Sequence, residues 1–374
     1  TSPRQIDIGL GAPHFHGGQT MTPHLTSNRK AQSGAALISA MLVVTLVATL
    51  ASVALWQQWR HVEVESAERH RVQSSWLLNG ALDWSRLILR EDAMAGMSDG
   101  AGSGGGNSDH LAEPWALPLK EAKLSTFLAQ DQQLREGDPE VFLSGQITDA
   151  QSRINLTNWF EASDGKVSAK MNEPMQLALV RLFNVLDLPR AELERLAGAW
   201  RAAAQSARLS NPAMGQPSQG MASGASLLPQ QITQLQWLGL SADTVQRLSP
   251  HVTILPEVTP VNLNTASAEV IYATVPGLDL AAAQQFVQQR TRAHFSNLTD
   301  ASKALGGKTL EARWHTVGTR FFEVWGRLRM EDRTQEETAL ILRDTGNVTF
   351  VWRQKIAGIL PPSNRESLLQ SSQP

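Results

Sequence analysis

The sequence predicts an α+β protein built on one long N-terminal helix, and three observations predict it. Residues 35–55, AALISAMLVVTLVATLASVAL, hold no charge, proline or glycine. Helical spacing then continues, with no proline or glycine before Gly80. Near the C-terminus TRFFEVWGRLRMED, QEETALILRD and NVTFVWRQKI each alternate apolar and polar residues, the period of a strand with one buried face. Between an earlier strand-like stretch at 141–156 and these three lies a region of helical period, about 165–300. The expectation is therefore a helix-plus-antiparallel-sheet domain carrying a large inserted α-helical domain.

The first helix comes first in the argument. About 20 apolar residues suffice for one helix to cross the hydrocarbon core of a bilayer. Trp56, Trp59 and Arg60 follow as an aromatic and basic collar. A cleaved secretory signal usually has a shorter apolar core, and a buried core helix rarely runs so far without charge. Beyond the collar, Trp59, Val62, Trp76, Leu77, Leu82 and Leu87 recur at helical intervals among Glu63, Glu65, Glu68, Arg69 and Arg71. Those charges exclude lipid as the solvent of this half. Val62, Trp76, Leu77, Leu82 and Leu87 are thus candidates for packing on the protein's own sheet and on partner helices.

Composition closes several routes. With 33 basic against 35 acidic residues, a formal charge of -2, bulk electrostatics gives no case for nucleic acid. The absence of cysteine excludes disulfides and thiol chemistry. There is no HExxH or Walker sequence, and no catalytic set is assigned. His14 and His16 stand among glycines without further metal-ligand candidates. Residues 1–20 are expected to be disordered and could precede the true start, since Met21 opens a short basic leader.

The remaining elements follow in order. Residues 96–110, rich in glycine and serine, end the long helix as a link. Residues 141–158 suit a hairpin or a pair of strands, broken at Gly145 and Asp149. Asn155 and Asn158 are expected as turn and capping residues, not catalysts. Residues 173–186 and 190–207 read as helices, with Pro189 before the second; 209–228 is a loose insertion. Residues 234–254 and 269–290 are similar units, aligned by Gly239 on Gly277, each with the pattern of a helix-hairpin-helix-like turn. Neither turn has a lysine beside it in sequence, which weakens a phosphate-binding reading. Thr265 or Ser267 is expected to cap a helix, with Asn262 and Asn264 holding the extended segment before it.

Three stretches carry a family resemblance. Arg29, Lys30 and Gly34 before the apolar run resemble the leader of a type IV prepilin-like protein, which implies cleavage between Gly34 and Ala35. Most such proteins place glutamate fifth after the cut, whereas this chain has Ser39. The INLTN segment with Asn155 and Asn158, and VNLNTASAEV with Asn262, Asn264 and Thr265 followed by Pro276 and Gly277, resemble the type II secretion protein K family, whose members lack that acid.

The resemblance implies a pilin-like fold and a minor pseudopilin at the tip of a periplasmic pseudopilus. Its implied partners are minor pseudopilins I and J, the major pseudopilin, the inner-membrane assembly platform, the prepilin peptidase and the lipid bilayer. It implies a single-pass inner-membrane protein with a cytoplasmic N-terminus, and calcium, for which the oxygen-rich stretches 131–140 and around Asp164 lack regular loop spacing. The implied division is 1–34 leader, 35–55 membrane helix, 56–92 its extension, 93–164 and 301–360 the pilin-like domain, 165–300 the insertion, and 361–374 a tail. Two rivals stay open: a bitopic scaffold or receptor with a periplasmic binding domain, and a membrane-tethered DNA-uptake protein.

Overall fold

A computed structural model describes residues 33–99, 108–124, 140–163, 166–209, 227–330, 333–344 and 346–356. Arg29 and Lys30, residues 1–20, the insertion at 210–226, Asp164, most of 131–140 and the tail at 361–374 lie outside the described residues.

Helix α1, Ser33–Asp99, is continuous over 67 residues. The chain divides into two compact units, Thr1–Arg69 and His70–Pro374, and α1 passes through both. In the first unit the side chains of 35–64 are all exposed, and one segment is long and apolar enough to cross a membrane. Its few hydroxyls bond back along the helix: Ser39 Oγ donates to Ala36 O (2.9 Å), Thr45 to Leu42 O and Ser52 to Ala48 O. Such bonds satisfy polar groups where lipid offers no partner. Arg60 lies 5.1 Å from the centre of the Trp56 ring, inside the collar.

In the second unit α1 packs on an antiparallel five-stranded sheet. The strands are β1 (Leu119–Lys123), β2 (Val141–Asp149), β9 (Phe321–Met330), β10 (Arg333–Asp344) and β11 (Asn347–Ile356), in the spatial order β1-β2-β9-β10-β11. Leu78, Leu82 and Leu89 of α1 enter cores completed by Trp115, Phe322, Ile341 and Leu328. Close approach is possible because Gly145 and Gly326 sit opposite one another. A methyl group on Gly326 would stand 3.1 Å from Leu78 Cδ1, tighter than packed carbons accept.

The three C-terminal strands pair as expected, β9 with β10 and β10 with β11. Of the two forms expected at 141–158, a pair of strands is present and a hairpin is not: β2 ends at Asp149 and a second short strand follows at Ile154–Asn155. Gly145 is used for close pairing with β9 and not for a turn, so β2 is one strand between β1 and β9.

From β2 the chain leaves the sheet for a helical layer. Its strand pieces are β3 (Ile154–Asn155), β4 (Phe160–Ser163), β5 (Lys166–Met171), β6 (Val252–Thr253), β7 (Val261–Asn262) and β8 (His315–Thr316). Its helices are α2 (Glu173–Val185), α3 (Arg190–Leu209), α4 (Ala242–Leu248), α5 (Ala268–Thr274), α6 (Leu280–Arg292) and α7 (Leu298–Ala304). Asn172, Ser241, Ser267, Asp279 and Asn297 each accept a backbone N–H at a helix start. Ser267, and not Thr265, caps α5.

One core runs from Ile154 to Leu305, so the layer reaches beyond 165–300 at both ends. Gly239 (φ 95°) stands before α4 and Gly277 (φ 71°) before α6, both in the left-handed region. Asp149 pairs with Phe322 at the ends of β2 and β9. Entry to and exit from the helical layer therefore meet at one rung of the ladder, which limits the entropy cost of closing so long an excursion.

Candidate functional site

The sequence-derived candidates separate into three places. Gly34 and Ala35 lie in the first turn of α1, with Ala35 exposed. Ser39 is exposed five positions into the segment, its hydroxyl held by its own helix.

The interface candidates on α1 do not share a face. Leu82 is 1% exposed and belongs to the core against the sheet, which removes it as a partner contact. Leu77 is half-buried beside Leu78 and Leu328. Trp76 and Leu87 are 72% and 43% exposed, so Trp76 is not internal to the fold. Val62 is exposed within the first unit. Trp84, 64% exposed on the Trp76 side, was missed; its distance of eight residues from Trp76, two helical turns and a little more, was the available signal.

The asparagines form staples. Asn155 Nδ2 donates to Glu257 O (2.7 Å) and Thr259 Oγ1 (3.0 Å), while its Oδ1 accepts from Leu255 N. Asn158 pairs with the Thr259 peptide in both directions, Nδ2 to O (2.6 Å) and N to Oδ1 (3.0 Å). Asn264 does the same with Phe295, and Asn262 Nδ2 donates to Asp109 O and Asp149 Oδ2. Asn262 and Asn264 thus hold remote segments rather than the extended stretch before them. Pro276 and Gly277 form the turn between α5 and α6. Lys308 Nζ donates to Gly277 O (2.9 Å), and Arg181 to Val275 O and Leu278 O. The fold brings to this turn the cations that local sequence lacked, and fixes them on the turn's own carbonyls.

A buried charge network joins α1, the sheet and the helical layer. Arg343 of β10 donates to Asp92 of α1 (2.5 Å), to Asp109 and to Thr319 O (3.0 Å). Asp149, at the end of β2, accepts from Gln151 N, Asn262 Nδ2 and Thr265 Oγ1. Burial raises the pKa of Asp92 and Asp149, and that of Asp109 to about 6, against the pull of Arg343 on Asp92 and Asp109. Burial also takes Glu113 up to about 7 and His110 down to about 4, where it stacks on His294 with ring centres 3.8 Å apart.

Carboxylate oxygens of Asp92, Asp109 and Glu113 lie within 4.8 Å of one another. Calcium takes six to eight oxygens. Here Arg343 already occupies Asp92 and Asp109, and Glu113 accepts from Trp115 Nε1 (2.6 Å) and His110 N. The set does not fit calcium; it is an ion network centred on a guanidinium.

Two family models described as type II secretion system protein K match residues 152–257 and 261–318, the helical layer with its asparagine staples. Type II secretion system protein K of Pseudomonas aeruginosa is 29% identical over 355 residues, covering 89% of this chain and 96% of that protein. Its Klebsiella pneumoniae counterpart is 28% identical over 279 residues, 71% of this chain and 78% of that one. A chain in the crystal structure of the GspK-GspI-GspJ complex from enterotoxigenic Escherichia coli shares the fold, with a TM-score of 0.55 at 17% identity over 78% of this chain and 99% of that chain. Residues 152–257 and 261–318 thus match the type II secretion system protein K family, and most of the chain is similar to two proteins of that description.

Proposed function

We propose that the chain is a minor pseudopilin of the type II secretion system, at the tip of the periplasmic pseudopilus with minor pseudopilins I and J. There it supports pseudopilus assembly and the export of folded proteins. The observation that carries the reading is the architecture: one continuous helix, apolar and exposed over 35–55, packs its later part on an antiparallel sheet interrupted by a helical layer. This is a pilin-like plan in which the insertion has room only where no further subunit stacks, and the paired glycine turns make the insertion helix-hairpin-helix-like. Ser39 agrees with a tip position, because in pilin-like fibres the acid at that place neutralises the N-terminal amine of the subunit one layer nearer the tip. A subunit with none above it has no such amine to meet. In this reading the N-terminus is cytoplasmic, the bulk of the chain is periplasmic, and the role is structural rather than enzymatic.

Processing tests it. Coexpression with a prepilin peptidase should expose Ala35 as the new N-terminus, and Gly34→Leu should block the cut, as read by N-terminal sequencing of the membrane fraction. An unprocessed chain, or a cut beyond Leu55, would favour a bitopic scaffold.

A further inference from the structure

Residues 108–117 run between α1, the sheet and the helical layer with no place in a strand ladder or an α-helix, only a short 3-10 turn at Pro114–Ala116. Single contacts therefore hold this strap. At one end Trp115, 1% exposed, is sunk in the core between α1 and the sheet, edge-on to Phe322 with ring centres 5.1 Å apart. At the other end Asp109 reaches the helical layer and its return to β9. Its N–H donates to Val317 O (2.9 Å), its carbonyl accepts from Asn262 Nδ2 (3.1 Å) and its carboxylate from Thr319 N (2.6 Å). Beside it His110 lies flat on His294, in the loop between α6 and α7.

Glu113 sits between the two ends and closes the strap on itself. Its Oε2 accepts from Trp115 Nε1 (2.6 Å) and from His110 N (3.0 Å), and its Oε1 stands 4.0 Å from His110 Nε2. Charged groups surround it from each neighbouring element: Asp92 of α1, Asp109 and His110 of the strap and Arg343 of β10, with Asp149 of β2 behind Asp109 and His294 behind His110. Three carboxyl groups thus share one guanidinium, and with all three ionised the buried site holds three negative charges against one positive. That excess is costly only while the strap is seated, because water screens the same charges once it lifts. Protons on Glu113 and Asp109 remove the excess. A proton on His110 instead adds charge against the His294 stack.

We infer that residues 108–117 are a proton-latched strap: with Glu113 and Asp109 protonated it ties α1 and the sheet to the helical layer, and with both ionised it lifts off the layer while layer and sheet stay folded. Burial raises Glu113 to about 7 and Asp109 to about 6, so the seated strap keeps protons that the lifted strap, with ordinary carboxyls, has lost. His110, lowered to about 4, opposes this in part. Two acids outweigh one imidazole, and opening grows as the pH rises toward 7. The inference goes beyond the pseudopilin reading and does not depend on it: the fold contains a joint whose strength follows pH.

Amide hydrogen exchange of the full chain in detergent micelles, corrected for the intrinsic rate at each pH, reads the opening directly. In peptides covering 108–117 and Thr319, the open fraction should rise about tenfold or more between pH 5 and pH 8. A local opening exposes little surface, so about 1 M urea should leave that exchange unchanged while it speeds exchange in α2. Glu113→Gln keeps an acceptor for Trp115 Nε1 and removes the main proton, and should hold the open fraction within about threefold over the same range. His110→Phe keeps a ring on His294 and removes the opposing proton, and should make the dependence steeper than in the parent. An open fraction in the parent that ignores pH, or a Glu113→Gln protein that follows the parent, would overturn the latch. Strap exchange that rises with urea as steeply as that of α2 would also overturn it, since the whole protein would then be unfolding in place of a lifting strap.

Discussion

At the scale of single residues, the charge network shows what sequence reading reached and what it did not. The asparagines at 155, 158, 262 and 264 were legible as structural, because a short amide beside turns and extended segments tends to bond backbone. Their partners were not legible, since Asn262 meets Asp109 across 153 positions and Asp149 across 113. The carboxylates around Arg343 gave no local signal for the same reason. Their consequence is a pH dependence. Burial takes Glu113 from its ordinary 4.5 to about 7, so the folded state holds this proton more tightly than the unfolded chain. Its stability contribution is full below about 4.5 and is lost as pH rises through 7. Facing it are His110, Asp92, Asp109 and the indole of Trp115, with His294 stacked on His110. His110, held down near 4 by burial, acts in the opposite sense and loses stability as pH falls below its ordinary 6.5. Glu113→Gln keeps an oxygen for Trp115 Nε1 and removes the titration. It should stabilise the protein by roughly 2 kcal/mol at pH 8 and by little at pH 5. Urea unfolding of both proteins at the two pH values is the measurement, and equal differences at both would contradict the burial of this acid.

At the scale of elements, α1 was readable as one long helix but not in its end or its orientation: residues 96–99, expected in the link, belong to α1, which runs to Asp99. Periodicity marks apolar positions, yet Leu82 and Trp76 fall on different faces of the same helix, and only the sheet decides which face is inward. The strands β1 and β5 escaped notice because LKEAK and KVSAKM hold few apolar residues and lie at margins. Gly145 misled for a physical reason: glycine signals both a turn and a close backbone approach, and here the opposing Gly326 makes it the second. The two faces of α1 should separate in mutation. Leu82→Ala removes side-chain volume from the core and should cost about 2 to 5 kcal/mol in urea unfolding. Trp76→Ala, at an exposed site, should change stability by no more than about 0.5 kcal/mol while weakening assembly with partner helices. A large loss of stability from Trp76→Ala would put that indole inside the fold.

At the scale of the whole molecule, the α+β plan was legible because its sheet strands and helices carry different periods. The three C-terminal strands are sequence neighbours and pair with one another, so local pattern sufficed. The return of β2 to β9 across the helical layer is a long-range fact, visible only as the rung between Asp149 and Phe322. The layer's limits were blurred because its first core residues, Ile154 to Phe160, lie in short strand and turn pieces and not in helices. The central claim is that this chain acts with two partners at a pseudopilus tip. The full chain, coexpressed with the I- and J-type minor pseudopilins of its own cell and extracted in mild detergent, is weighed by native mass spectrometry. One copy of each protein in a single particle is the predicted result; a particle holding this chain without either partner, in the presence of both, would contradict the account.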